Sequence, residues 1–155
     1  MPYVDVAIAN EEDCEKVFDI KAQDSDVSEG TISEEGYKTV AKQLSERFHI
    51  PTVAITLRES VSASDNRWSA MLLNQNEYYM SKKYQIHIVD RVGGGDSFSA
   101  GIIHGLLSGY GMDKTLEFAV AASALKHTIE GDYNMMTVAE VEKLAGGDGS
   151  GRIQR

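Results

Sequence analysis

Apolar positions along the chain follow two rhythms. Tyr3 to Ala9 (YVDVAIA) and Thr52 to Leu57 (TVAITL) are strand-length runs rich in β-branched and small apolar residues, with little room for solvent on either face. Tyr84 to Val89 (YQIHIV) alternates, which predicts a third strand. A turn at Asp65-Asn66 feeds a further strand from Trp68 to Leu73, and NQNEYY suggests another turn. Elsewhere the spacing is helical. NEEDCEKVFDI predicts a short helix whose first-turn acids suit the helix dipole. SEEGYKTVAKQLSERFHI predicts a longer one, with Tyr37, Val40, Leu44 and Phe48 on one face and Ser33 as its cap. Helices are also expected over Ser97 to Leu107 and Asp113 to Thr128, followed by one opened by the capping box Thr137-x-x-Glu140. KAQDSDVSEGT is a polar connector, and residues 146–155 (GGDGSGRIQR) are expected to be a flexible tail.

Strand, helix, helix, strand, hairpin, strand, helix, helix is an α/β order, here a single domain over residues 1–145. Ligands in such sheets bind beyond the carboxyl ends of the strands. Three stretches are expected there: Asn10, Thr56 to Glu59, and Asp90 to Asp96.

Composition narrows the partners. With 155 residues and 42% hydrophobic content the chain can build one real core. Its net charge of -9 repels nucleic acid and anionic membranes, and no apolar run approaches the roughly 20 residues of a membrane span. A polyanionic ligand must therefore be held locally, by aimed amides, a metal or a few cations. One cysteine, Cys14, allows no internal disulfide, and no signal peptide opens the chain; a cytoplasmic location is the expectation. Cys14 sits in the first helix as a buried small residue. His87 belongs to a strand; His104 and His127 lie in helices without metal-ligand spacing; Trp68 and the tyrosines fit a core or sheet face.

The stretch DRVGGGDSFSAG, Asp90 to Gly101, carries the chemistry. Gly93, Gly94 and Gly95 have no Cβ, so their amides can approach an anion closely. The helix expected near Asp96 adds free N–H groups and the positive end of its dipole. Together they form an anion hole for a phosphate whose charge rises in a transition state. Asp96 would face it, able to orient a hydroxyl and accept its proton. The plainer alternative is an aspartate N-cap after a glycine turn. No lysine follows the glycines, as a Walker-type loop requires, and Phe98 stands where a dinucleotide fingerprint needs its third glycine.

The stretch resembles the C-terminal signature D-T-x-G-A-G-D-[ST]-F of the ribokinase-like, or PfkB-type, carbohydrate kinases, with Arg91 for threonine and Gly94 for alanine. DVAIANEED resembles the family's strand and N-x-x-E motif, with Asp13 in the glutamate position. TVAITLRES resembles the strand leading to the nucleotide-phosphate loop, with Arg58 where many members have glycine. FAVAASALKHTIEGDYN resembles the helix and loop beside the nucleotide, and KHTIEGDYN with GDGSGRIQR is most similar to members acting on keto-deoxy sugar acids.

The resemblance implies the C-terminal part of a three-layer α/β/α fold, with the family's lid and N-terminal strands not visible. It implies that the first strand has an exposed edge, which favours a homo-oligomer. It implies transfer of the γ-phosphoryl of ATP, with Mg²⁺, to a primary hydroxyl of 2-keto-3-deoxygluconate. Asp96 is then the base and Gly93 to Gly95 the anion hole. Asn10, Thr56, Arg58, Gly93 and Gly95 are expected at ATP, and Asp13 near the metal through a water. Arg91, Asp96 and Asp132 are expected at the sugar acid. Asn10-x-x-Asp13 also fits a helix cap, Arg58 a solvated charge, Arg91 an ion pair with a surface acid, and Asp132 a turn after a helix capped by Gly131. Two other readings stay open: a nucleotide-binding or inert module without turnover, and a kinase for another sugar such as fructose or ribose.

Overall fold

Strand β2 (Thr52–Ser60) organises the sheet of the computed structural model, which describes residues 3–20 and 34–147. It runs parallel to β1 (Val6–Ala9) on one edge and antiparallel to β3 (Asp65–Asn74) on the other, with Arg58 opposite Trp68. The free edge of β3 is shared: β4 (Glu77–Met80) pairs with its second half and β5 (Tyr84–His87) with its first. The β3–β4 hairpin closes through Gln75 and Asn76, both at positive φ, the backbone a tight two-residue turn demands.

Alternation along β2 splits the interior into two cores. Val53, Ile55 and Leu57 pack with Tyr37, Val40 and Leu44 of α2 (Glu34–Phe48), and Cys14 of α1 (Glu11–Phe18) joins them, 1% exposed. On the opposite face Ala54, Ala70 and Leu72 meet Phe98 and Ile102 of α3 (Gly94–Leu107) and Ala119 of α4 (Met112–Lys126). Helix α5 (Val138–Ala145) seats Val141 against the same side, opened by the predicted Thr137–Glu140 capping box. Helices thus cover both faces of the sheet, the three-layer α/β/α arrangement.

Several boundaries depart from the sequence reading. The first strand spans Val6–Ala9, not Tyr3–Ala9, and most of it is only half-buried; Tyr3 is 95% exposed. Its outer edge meets no strand among the described residues, so that side is uncovered. β2 runs on to Ser60, which places Thr56 to Glu59 inside the strand and not beyond it. The following turn falls at 61–64, because Ser62 bonds Asp65 from both backbone and hydroxyl and makes Asp65 the first residue of β3. β5 ends at His87, since Val89 turns to donate to the His127 carbonyl. The short β4 was not expected. The connector at 21–31 and Ser33 lie outside the described residues, as do residues 148–155 of the tail; Gly146 closes α5. Among the described residues no helix is long and apolar enough to cross a membrane.

Candidate functional site

The glycine stretch builds the start of α3 and joins it to the loop after α4. Gly93 is the N-cap, at φ 80°, with no side-chain capping bond. A Cβ there would lie 2.0 Å from the Asp132 carbonyl oxygen, so the two loops touch through backbone alone. The helix begins at Gly94, three residues before the expected Ser97, and its cap is a glycine; Asp96 sits exposed inside the first turn. Its first full i→i−4 bond runs from the Ser97 N–H to the Gly93 carbonyl at 2.9 Å. The Gly95 and Asp96 amides lie ahead of that bond, at the positive end of the helix.

Asp90 holds the two loops in register. One carboxylate oxygen accepts from the Val92 amide at 3.0 Å and the other from the Gly131 amide at 2.9 Å, which together hold its pKa below the usual carboxylate range. The Val89 and Asp90 amides both donate to the His127 carbonyl, and the Ser123 hydroxyl donates to the Gly94 carbonyl at 2.8 Å. Gly131, at φ 82°, turns the loop; the C-cap of α4 is His127, four residues earlier than the capping glycine expected from sequence.

Beside this helix start is a cleft of about 300 Å³. Asn10 and Glu12 from the start of α1 line it, together with Thr56 and Arg58 of β2. Trp68, Arg91, Gly95 and His127 complete it. Arg91 donates to the Ala63 carbonyl at 2.7 Å, and neither it nor Arg58 forms an ion pair with an acid among the described residues. Burial pushes the His127 pKa down, and the charges of Lys126, Arg91 and Arg58 push the same way; a hydrogen bond to the Ser123 carbonyl opposes them. Glu12 is held below its ordinary value by its hydrogen bond to Lys16, with Arg58 adding to the effect. A chain of net charge -9 therefore keeps a locally cationic recess.

The structure brings Asn10, Thr56, Arg58, Arg91 and Gly95 to this cleft. Gly93, Gly94, Asp96 and Asp132 are not on its lining; Gly93 packs against the Asp132 backbone. Asn10 doubles as the α1 N-cap: its side chain accepts from the Asp13 amide at 2.9 Å, while the Asp13 carboxylate accepts from the Asn10 amide at 3.1 Å. Asp13 thus faces back along its own helix end. No group of three His, Cys, Asp or Glu that could hold a metal occurs among the described residues. The donors present fit Mg²⁺ only in its usual mode, with phosphate and water as most of the ligands.

Trp68, His127 and Glu12 line the cleft but were not among the residues expected there. Trp68 and His127 carry no local signal: they meet, ring centroids 4.9 Å apart, because β3 and the end of α4 converge. Glu12 stood one position before the motif residue. Asp90 opens the glycine signature and was visible there.

Fold and site define a three-layer α/β/α protein with an anion-receptive helix start beside a cationic cleft. Residues 1–149 match the model of the pfkB family carbohydrate kinases, and the chain belongs to that family. Among solved structures it is 48% identical to a 2-dehydro-3-deoxygluconokinase from Thermotoga maritima, with a TM-score of 0.86 over 94% of this chain and 43% of that one. A PfkB family carbohydrate kinase from Listeria grayi is 32% identical, with a TM-score of 0.76 over 94% of this chain and 42% of the other. A 2-dehydro-3-deoxygalactonokinase of Haloferax volcanii is 30% identical over 148 residues, 95% of this chain. The chain spans 40% of that relative's length.

Proposed function

We propose that this chain supplies the phosphate end of a phosphotransferase site for ATP and a 2-keto-3-deoxy sugar acid, 2-keto-3-deoxygluconate first among them. The observation that carries the proposal is the αL Gly93 cap. It aims the first amides of α3 past an exposed Asp96, beside a recess holding Arg58 and Arg91. The names of the relatives support the sugar acid.

Each residue then has a physical task. The α3 amides stabilise charge on the transferring phosphoryl group. Arg58 and Thr56 hold nucleotide phosphates, and Asn10 faces them from the α1 cap. Asp96 orients the sugar's primary hydroxyl and takes its proton. Arg91 and Asp132 recognise the sugar acid, the guanidinium pairing with its carboxylate. Mg²⁺, when bound with ATP, neutralises phosphate charge; Asn10 and Asp13 would stand beside its waters.

Asp96→Asn, tested in the complete protein with a coupled kinase assay, should abolish turnover of 2-keto-3-deoxygluconate while Mg-ATP affinity stays nearly unchanged. Unaltered turnover would remove Asp96 from the chemistry. A second reading, a nucleotide-binding module without turnover, is favoured by Asp132, which lies outside the cleft lining. Fructose or ribose as acceptor is the outcome if the sugar acid proves inert.

A further inference from the structure

We propose that His127 is a phosphate-binding residue of the cleft and takes up a proton when the anion arrives. The inference rests on the reading of this cleft as a phosphate site and deepens it.

His127 is 5% exposed and lines the cleft. Its Nδ1 lies 2.7 Å from the Ser123 carbonyl oxygen. A carbonyl can only accept, so Nδ1 carries the hydrogen, and in the neutral ring Nε2 is a bare lone pair. That nitrogen has no hydrogen-bond partner among the described residues. The ring edge bearing it lies under the first turn of α3: a Cβ on Gly94 would be 2.5 Å from Cε1 and 2.8 Å from Nε2. The lack of a Cβ at Gly94 gives the imidazole this approach. Trp68 backs the ring from β3 and fixes its orientation.

The charges around the ring decide its state. Lys126 precedes it, Arg58 faces it from β2 and Arg91 from the glycine loop, and the positive end of α3 lies above it. Of the acids, Glu12 is hydrogen-bonded to Lys16, and Asp90 to two backbone amides. Without an anion beside it, this charge environment disfavours an imidazolium. A phosphate dianion reverses the balance, because it offsets the cations and would otherwise meet a lone pair. One proton moves from solvent to Nε2, which then donates a charge-assisted hydrogen bond to the anion. No bond in the ligand changes.

Sulfate is the probe, since its charge is constant across the working range. Calorimetric titration of this chain should show affinity rising as pH falls from about 8 to 6, at most about tenfold per pH unit, the limiting slope for one proton taken up on binding. His127→Gln should flatten that slope, whereas His87→Gln, at an exposed residue paired with Asp65, should leave it intact. Nitrogen NMR of the wild-type imidazole should show Nδ1–H alone in the free chain and both nitrogens protonated in the sulfate-saturated chain near pH 6.5. This measurement needs no variant to fold. A bare Nε2 in the saturated chain, or a slope that persists in His127→Gln, overturns the inference. If Mg-ATP and sulfate bind without any pH slope, this inference fails and the phosphate reading stands. If neither binds at any pH, both fail.

Discussion

The three glycines of the signature look alike in sequence and do different work. Gly93 is fixed twice over, by φ 80° and by an Asp132 carbonyl oxygen 2.0 Å from where a Cβ would sit. Gly95 has nothing within 4 Å of its Cβ position and opens on the cleft. Gly93→Ala should cost at least about 2 kcal/mol in urea unfolding, since the left-handed backbone alone costs an L-residue about 1–2 kcal/mol and the contact adds to it. Gly95→Ala should leave the unfolding midpoint unchanged or slightly higher, because alanine favours a helix by up to about 1 kcal/mol over glycine. Its methyl should instead weaken Mg-ATP binding by holding the phosphate off the amides. Normal binding by Gly95→Ala would mean that no anion approaches that backbone closely.

At the scale of elements, α3 and α4 make the platform that aims those amides. Gly101 is the contact that lets them close: a Cβ on it would lie 2.5 Å from the Ala119 Cα. Gly101→Ala should cost about 1–3 kcal/mol and weaken anion binding together with stability, because α3 must shift as a whole. The clash is with backbone, so adding Ala119→Gly should not restore the midpoint; recovery would place the strain on the Ala119 methyl instead. The helices and the long strands were legible because their burial has a clear period: Tyr37, Val40 and Leu44 on α2, Val53, Ile55 and Leu57 on β2. What failed was local. The polar residues Arg58 to Ser60 look like a loop but stay in the ladder opposite Trp68 to Asn66, where pairing outweighs the lack of burial. Asp96 looks like a cap, yet a positive-φ glycine three positions earlier already turned the chain. Arg58, Arg91 and Asn10, singled out by motif position, do line the cleft. Trp68 and His127 were not singled out, because only the β3 register and the end of α4 bring them there.

At the scale of the molecule, charge separates what this chain holds from what it lacks the means to hold. A surface of net charge -9 opposes any polyanion, and Arg58, Arg91 and the α3 start reverse that sign in one recess. Those groups suit phosphates. For a sugar acid the chain offers Arg91 and Asp132, and Asp132 lies outside the cleft lining, its backbone against Gly93. We therefore expect these 155 residues to bind Mg-ATP in calorimetry with one site and to give no product in a coupled assay with 2-keto-3-deoxygluconate. Binding should weaken as salt rises, since exposed guanidiniums are screened within about 8–10 Å at physiological ionic strength. Arg58→Ala should lower the affinity without moving the unfolding midpoint, because Arg58 makes no ion pair with an acid within the described fold. Turnover by this chain alone would show that Arg91 and Asp132, with the α3 start, are enough to hold both substrates. Loss of the unfolding midpoint in Arg58→Ala would mean that the arginine serves the sheet and not the phosphates.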